Sequence, residues 1–214
     1  MKMFKMVGAV TAAAVLFGLT SMARADQGSM DENSNNACPV GLVSGMTLEQ
    51  EFGAQVAANT RCIKKRHDVK VVIQVNNFCE SEDTPNPSCT AAYALNQITN
   101  IINDYEITDG MVQGRDFKIA AVVHGGGGAL LIQDGYIGPN GIANKNQFQS
   151  QVQGLMARGV TFYFCENTVR GMMKAGRLEQ GNVAAGVIDG VKYVTAGVAA
   201  LSDLQSLGYT YIQP

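Results

Sequence analysis

The 214-residue sequence has no tryptophan, two histidines (His67 and His124), five prolines and 16% charged residues. Each shortage excludes something. Two histidines without any C-x-x-C pair leave no zinc ligand set and no thioredoxin-type redox pair, so no metal and no cofactor is expected. Lys and Arg number 16 against 18 Asp and Glu, a formal charge of −2. A chain that grips nucleic acid through its phosphates needs a basic excess, and none is present. With 46% apolar residues and so small a net charge, the chain is not a disordered one either. No G-x-S-x-G elbow, no G-x-x-x-x-G-K-[ST] loop and no G-x-G-x-x-G fingerprint occurs. What the sequence does carry is five cysteines and 24 glycines.

The amino terminus reads as a targeting segment. Lys2 and Lys5 precede an uncharged, mostly apolar run from Met6 to Leu19, and Ala23-Arg24-Ala25 fits the small-x-small cleavage rule, so residues 1–25 are expected to be a secretory signal peptide. The alternative, a retained anchor, requires a spanning run of roughly 20 residues. The expectation is a periplasmic or secreted protein with no stable membrane insertion after cleavage.

Export changes the meaning of the cysteines, because an oxidising compartment favours pairing. Cys79 and Cys89 bracket a turn-rich stretch holding Pro85, Asn86 and Pro87, and a bridge there would staple it. Cys38 and Cys62 form a second candidate pair, although connectivity is not fixed by sequence. Either pair, if reduced, would offer resolving thiols. Cys165 is left alone.

Residues 26–68 form an amino-terminal extension with one expected helix over about 48–64, marked by Leu48, Phe52, Val56 and Ile63. From Val69 short apolar strands alternate with helical faces. Val69–Val75, Phe117–Val123 and Val160–Phe164 read as buried strands. Val191–Thr195 and Tyr209–Ile212 read as shorter ones. Between them lie helices marked by Leu95, Ile98, Ile102 and Tyr105, by Phe148, Val152, Leu155 and Met156, and by the stretch Val198–Leu207. The pattern predicts an α/β domain over 69–214, a three-layer α/β/α sandwich with a mainly parallel five-stranded sheet.

In such sheets the functional site lies beyond the carboxyl ends of the strands. The first strand runs into Asn76 and Cys79, the second into His124 and Gly125, Gly126 and Gly127, and the third into Cys165 and Asn167 with Arg170 behind. A thiol where a strand meets a helix start is a candidate nucleophile, since helix-terminal N–H groups favour the thiolate. It is equally a candidate buried structural cysteine. The glycines after His124 either let backbone N–H groups approach an anion or simply make a tight turn.

With these residues in view, the region from about Val69 to Pro214 resembles the DsrE/DsrF-like family of sulfur-relay proteins. The resemblance is carried by Val69–Asn76, the Val122–Gly127 strand end, Arg158–Thr168 and Gly197–Pro214. It implies a domain that forms trimers or hexamers and a sulfurtransferase-type role, with Cys165 carrying sulfur as a persulfide between sulfur donor and acceptor partners. His124 would handle protons there, and Arg170, Asn167, Asn76 and the glycine backbone would bind anionic sulfur. Export, the extension and the Cys79–Cys89 loop depart from the family pattern. The alternative expectation is a non-catalytic oligomeric binding protein with a small-anion or peptide pocket at the strand ends.

Overall fold

The computed structural model describes residues 42–60, 67–79 and 89–214. The signal segment, Cys38 and Cys62 lie outside the described residues. Two short helices come first, α1 (Leu48–Phe52) and α2 (Ala54–Asn59). The single helix expected over 48–64 is interrupted because Gly53 takes φ 86° and serves as carboxyl cap of α1 and amino cap of α2, a conformation that glycine alone adopts without strain. Thr47 and Gln50 close a capping box on α1, and neither helix buries a residue. The apolar spacing of Phe52 and Val56 therefore does not mark a core face: both side chains are exposed.

The α/β layer begins at β1 (Val69–Val75) and continues through α3 (Tyr93–Asn103), β2 (Phe117–Val123), α4 (Gln149–Ala157), β3 (Thr161–Cys165), α5 (Glu166–Lys174), β4 (Lys192–Val194), α6 (Gly197–Ser206) and β5 (Thr210–Ile212). The five strands lie in the order β4-β3-β2-β1-β5 and every pairing is parallel. The expected fold class is thus observed, an α/β architecture with a five-stranded parallel sheet between helical layers.

The topology follows from the handedness of parallel crossovers. From β1 to β4 the chain steps along the sheet in one direction, so right-handed connections put α3, α4 and α5 on one face. After β4 the direction reverses, and the same handedness puts α6 on the other. The two cores record this division. Val71, Ile73, Val75, Ile119, Ala121, Val123, Phe162 and Phe164 pack with Leu95 and Ile98 of α3, Val152 and Leu155 of α4, and Val169 and Met172 of α5. On the opposite face Val72, Ala120 and Val122 pack only with Ala200 and Leu201 of α6 and a few half-buried neighbours. The α6 face is the thin one, and it carries the polar side chains Gln74, His124 and Cys165 at the carboxyl end of the sheet.

The long connection between β2 and α4 is held by one buried polar side chain. Asn146, 2% exposed, donates to the carbonyls of Leu130 (2.7 Å) and Ile132 (2.8 Å) and accepts the N–H of Phe148 (3.2 Å). All its polar atoms are used inside the protein, so it anchors a segment that has little regular backbone bonding of its own.

Candidate functional site

Cys165 is the last residue of β3 and the amino cap of α5, with no loop between them. Register places it beside the end of β2 and beside Val194 of β4, because Val123 pairs with Phe164 and Cys165 with Val194. Two helices therefore begin at its sulfur. The backbone N–H groups of Asn167 and Thr168, in the first turn of α5, point to it. From the other side the N–H of Gly197, first residue of α6, donates to Sγ at 3.2 Å. The Thr168 hydroxyl adds a fourth donor.

Burial of Cys165, 4% exposed, pushes its thiol pKa up, but the N–H groups of Thr168 and Gly197, the Thr168 hydroxyl and the Asn167 N–H together bring it below the ordinary thiol value. The thiolate is favoured by fixed dipoles at two helix starts, with no cationic side chain among the causes.

Thr168 also ties the glycine turn to the sulfur. Its Oγ1 accepts the N–H of Gly125 at 2.9 Å while its own hydroxyl turns to Cys165, so each bond polarises the other. The remaining glycines serve close packing. The Gly127 N–H donates to the Asn76 carbonyl at 2.8 Å, and a Cβ at Gly127 would lie 2.5 Å from the Val75 carbonyl oxygen. A Cβ at Gly128 would press on Thr168 and Met172. The amides of Gly125 and Gly127 are thus engaged within the protein. Gly126 is exposed at the turn.

His124 follows β2, half-buried, with its Nε2 2.6 Å from Gln74 Nε2. Burial lowers its imidazole pKa, favouring the neutral ring. Arg170 and Asn167 point elsewhere. The guanidinium donates to Asn167 Oδ1 (2.7 Å) and Glu166 Oε2 (2.9 Å), and all three belong to one turn of α5. Arg170 is exposed and lines an open groove with Glu166, Val169, Met173, Val183, Ala184 and Tyr193. Its spacing of five from Cys165 puts it on the helix surface, where an i,i+4 carboxylate is the nearer partner. Asn167 contributes to the sulfur through its backbone.

Cys79 and Cys89 are joined in a disulfide, and Cys165 is the free cysteine among the described residues. Cys79 lines a cleft of about 220 Å³ with Gln74, Asn76, Asn77, Tyr93 and Ala94. Four residues at this edge were not singled out by the sequence: Gly197, Thr168, Gln74 and Tyr211. The signal for Gly197 was its place opening a helix directly after a strand, matching Cys165 at the neighbouring strand end. Among the described residues no helix is long and apolar enough to cross a membrane, and no group of three or more His, Cys, Asp or Glu side chains is placed to hold a metal ion.

No protein-family model matches the chain, and no curated protein matches its sequence. Among solved structures it is similar to a protein of unknown function, MTH1491 from Methanobacterium thermoautotrophicum, with a TM-score of 0.48 and 21% identity over 69% of this chain and 100% of that one.

Proposed function

We propose that the protein is a sulfur carrier or sulfurtransferase that holds sulfane sulfur as a persulfide on Cys165 and passes it to a partner thiol. The observation that carries this reading is the convergence of two helix starts on one sulfur, with the Gly197 N–H at 3.2 Å and a thiol pKa below the ordinary value. In loading, the Cys165 thiolate attacks the sulfane sulfur of a donor. A new S–S bond forms, the donor's S–S bond breaks, and its electron pair leaves with the donor's thiolate or sulfite. In unloading, a partner thiolate attacks the outer sulfur and Cys165 leaves as thiolate. The same dipoles that favour the resting thiolate favour it as leaving group. No net oxidation occurs in either step.

The DsrE/DsrF-like resemblance supports the same role and adds the proposal of a homo-oligomer, a trimer or hexamer, that meets donor and acceptor proteins or small sulfur compounds. The Cys79–Cys89 disulfide supports a periplasmic or secreted location, since such bridges persist in oxidising compartments.

The test is the intact mass of the protein after incubation with polysulfide or thiosulfate, beside Cys165→Ser. The reading expects a gain of one sulfur that reductant removes and that Cys165→Ser lacks. Equal gain in both proteins would sink it. The second reading, a binding protein with an inert thiol, rests on the 4% exposure of Cys165; it expects no sulfur gain and resistance to alkylation near neutral pH.

A further inference from the structure

The donors that converge on Cys165 are aimed at Sγ itself. The Gly197 N–H lies 3.2 Å from it, and the N–H groups of Asn167 and Thr168 and the Thr168 hydroxyl close on the same atom. Cys165 ends β3 and caps α5 directly. It is 4% exposed, so these bonds form where water competes little. Groups that would steady a second, outer sulfur are engaged within the protein. The Gly125 N–H donates to Thr168 Oγ1 at 2.9 Å, and the Gly127 N–H donates to the carbonyls of Asn76 at 2.8 Å and His124 at 3.1 Å. The Arg170 guanidinium donates to the Asn167 and Glu166 side chains. The fixed dipoles at this edge therefore stabilise charge on Sγ more than charge one bond further out.

Loading with sulfur moves that charge. In the empty protein it sits on Sγ. In a persulfide anion it sits on the outer sulfur, and Sγ becomes a neutral bridging atom. A hydrogen bond to an ionised acceptor is roughly twice as strong as one between neutral groups, so the same donors hold the empty form more tightly than the loaded one. The logic is that of a dithiol whose stabilised reduced form makes its disulfide a strong oxidant. Here the stabilised empty thiolate makes the persulfide a strong donor of sulfur.

We propose that the donor set around Cys165 fixes the direction of sulfur flow: with an ordinary alkyl thiol as acceptor, the equilibrium lies toward empty protein and acceptor persulfide. This rests on the sulfur-carrier reading and adds a direction to it. In the transfer an acceptor thiolate attacks the outer sulfur of the protonated Cys165 persulfide. A new S–S bond forms to the acceptor, the bond to Sγ breaks, and its electron pair returns to Sγ. The products are the Cys165 thiolate and the protonated acceptor persulfide, so charge is conserved and nothing is oxidised overall. The same asymmetry restricts the preceding step. A simple alkyl persulfide would leave Cys165 mostly empty, so the supplying reaction must expel an anion less basic than an alkyl thiolate, such as the shortened chain of an inorganic polysulfide. The protein then stands between release of sulfur from such a donor and its capture by an alkyl thiol.

The experiment loads the protein with excess polysulfide, removes the excess, and brings it to equilibrium with N-acetylcysteine and N-acetylcysteine persulfide at a series of ratios. The buffer is mildly alkaline and free of oxygen, and the loaded fraction is read by intact mass after an acid quench. Wild type is expected mostly empty where the acceptor thiol and its persulfide are equal in concentration. Gly197→Ala and Thr168→Val each weaken the donor set at Sγ and move the balance about fivefold toward the loaded form, the weight of one hydrogen bond. Both forms compared are folded, so a general loss of stability cancels from this ratio, and the acceptor pair is the same for all three proteins. Wild type half loaded or more at equal concentrations overturns the proposal. So do variants that leave the balance unmoved or shift it toward the empty form. Where a variant fails to fold, the wild-type ratio decides alone. If wild type gains no sulfur even from excess polysulfide, the sulfur-carrier reading itself has failed and the proposal falls with it; loading with the balance on the wrong side sinks the direction alone.

Discussion

The N–H of Gly197 donates to Cys165 Sγ across 3.2 Å, and no side chain could sit at position 197 without touching both neighbours, His124 Cβ at 3.1 Å and Cys165 Cβ at 3.3 Å. The absence of a side chain is what lets the start of α6 reach the sulfur. Gly197→Ala should keep the fold, since its contacts require shifts of only a few tenths of an ångström. It should, however, push the α6 start away from the thiol. The expected outcome is a higher pH midpoint for alkylation of Cys165, read from the rate of iodoacetamide reaction against pH. An unchanged midpoint would mean that the Gly197 bond does not stabilise the thiolate.

Thr168 is the second test of the same dipoles. Its hydroxyl donates to Cys165 and its Oγ1 accepts from Gly125, so Thr168→Val removes both bonds while keeping the volume. Stability should fall by about 0.5–1.5 kcal/mol, the net worth of a hydrogen bond whose Gly125 N–H is open to water once its partner is gone. The alkylation midpoint should rise as well. A stability loss with no change in midpoint would make Thr168 a structural link only.

The strand and helix pattern of the α/β layer was legible in the sequence because its physics is local. Val69–Val75 and Phe117–Val123 are observed with the bounds expected from their unbroken apolar runs. The third strand is observed at Thr161–Cys165, one residue later than its hydrophobic run, because Cys165 belongs to the strand and caps the helix at once. Convergence of His124 and Cys165 was legible too, since both end parallel strands. What was not legible depends on register between distant segments. Nothing in the composition pairs Tyr211 with Gln74, 137 residues apart, or brings Gly197 to Cys165, 32 residues away. Arg170 illustrates the opposite case. Its charge suggests an anion, but its helical spacing delivers it to Glu166. Gly53 shows how a single backbone position outweighs apolar spacing, as it splits the helix expected over 48–64.

Stability should depend on pH through Cys165. Its folded pKa lies below the ordinary thiol value despite burial. A depressed acid contributes stability that is fully present above the unfolded pKa and is lost as pH falls through the folded one. The stability difference between wild type and Cys165→Ser, which does not titrate, should therefore grow in favour of wild type as pH rises through that window. Urea unfolding at a series of pH values up to the alkaline side of the thiol range measures it. A difference independent of pH would place the folded pKa at its unfolded value.

Asn146 offers a prediction about architecture alone. It satisfies the Leu130 and Ile132 carbonyls and the Phe148 N–H at 2% exposure. Asn146→Ala strands those groups in the interior and should cost about 2–3 kcal/mol. Asn146→Asp keeps the acceptor for Phe148 but turns a carboxylate toward two carbonyls, so it should be no better. Thermal unfolding of both variants decides the point. A loss below the range of ordinary surface substitutions in Asn146→Ala would mean that the segment is held by its other contacts.

The Cys79–Cys89 bridge separates a structural role from a chemical one. It closes a short loop, with a sequence separation of 10, and chain entropy alone assigns such a bridge about 2–3 kcal/mol. Cys89 packs against the core while Cys79 lines the cleft beside Gln74. The double variant Cys79→Ser with Cys89→Ala keeps the half-buried position apolar and the cleft position polar. It should unfold at lower urea by an amount matching that entropy, with the rate of Cys165 alkylation and the one-sulfur load unchanged. If release of sulfur from Cys165 to an acceptor thiol also slows in this variant, the pair acts as a resolving couple. If only the urea midpoint moves, the bridge is a staple for the segment that follows β1, and the chemistry at this edge belongs to Cys165 and the groups that donate to it.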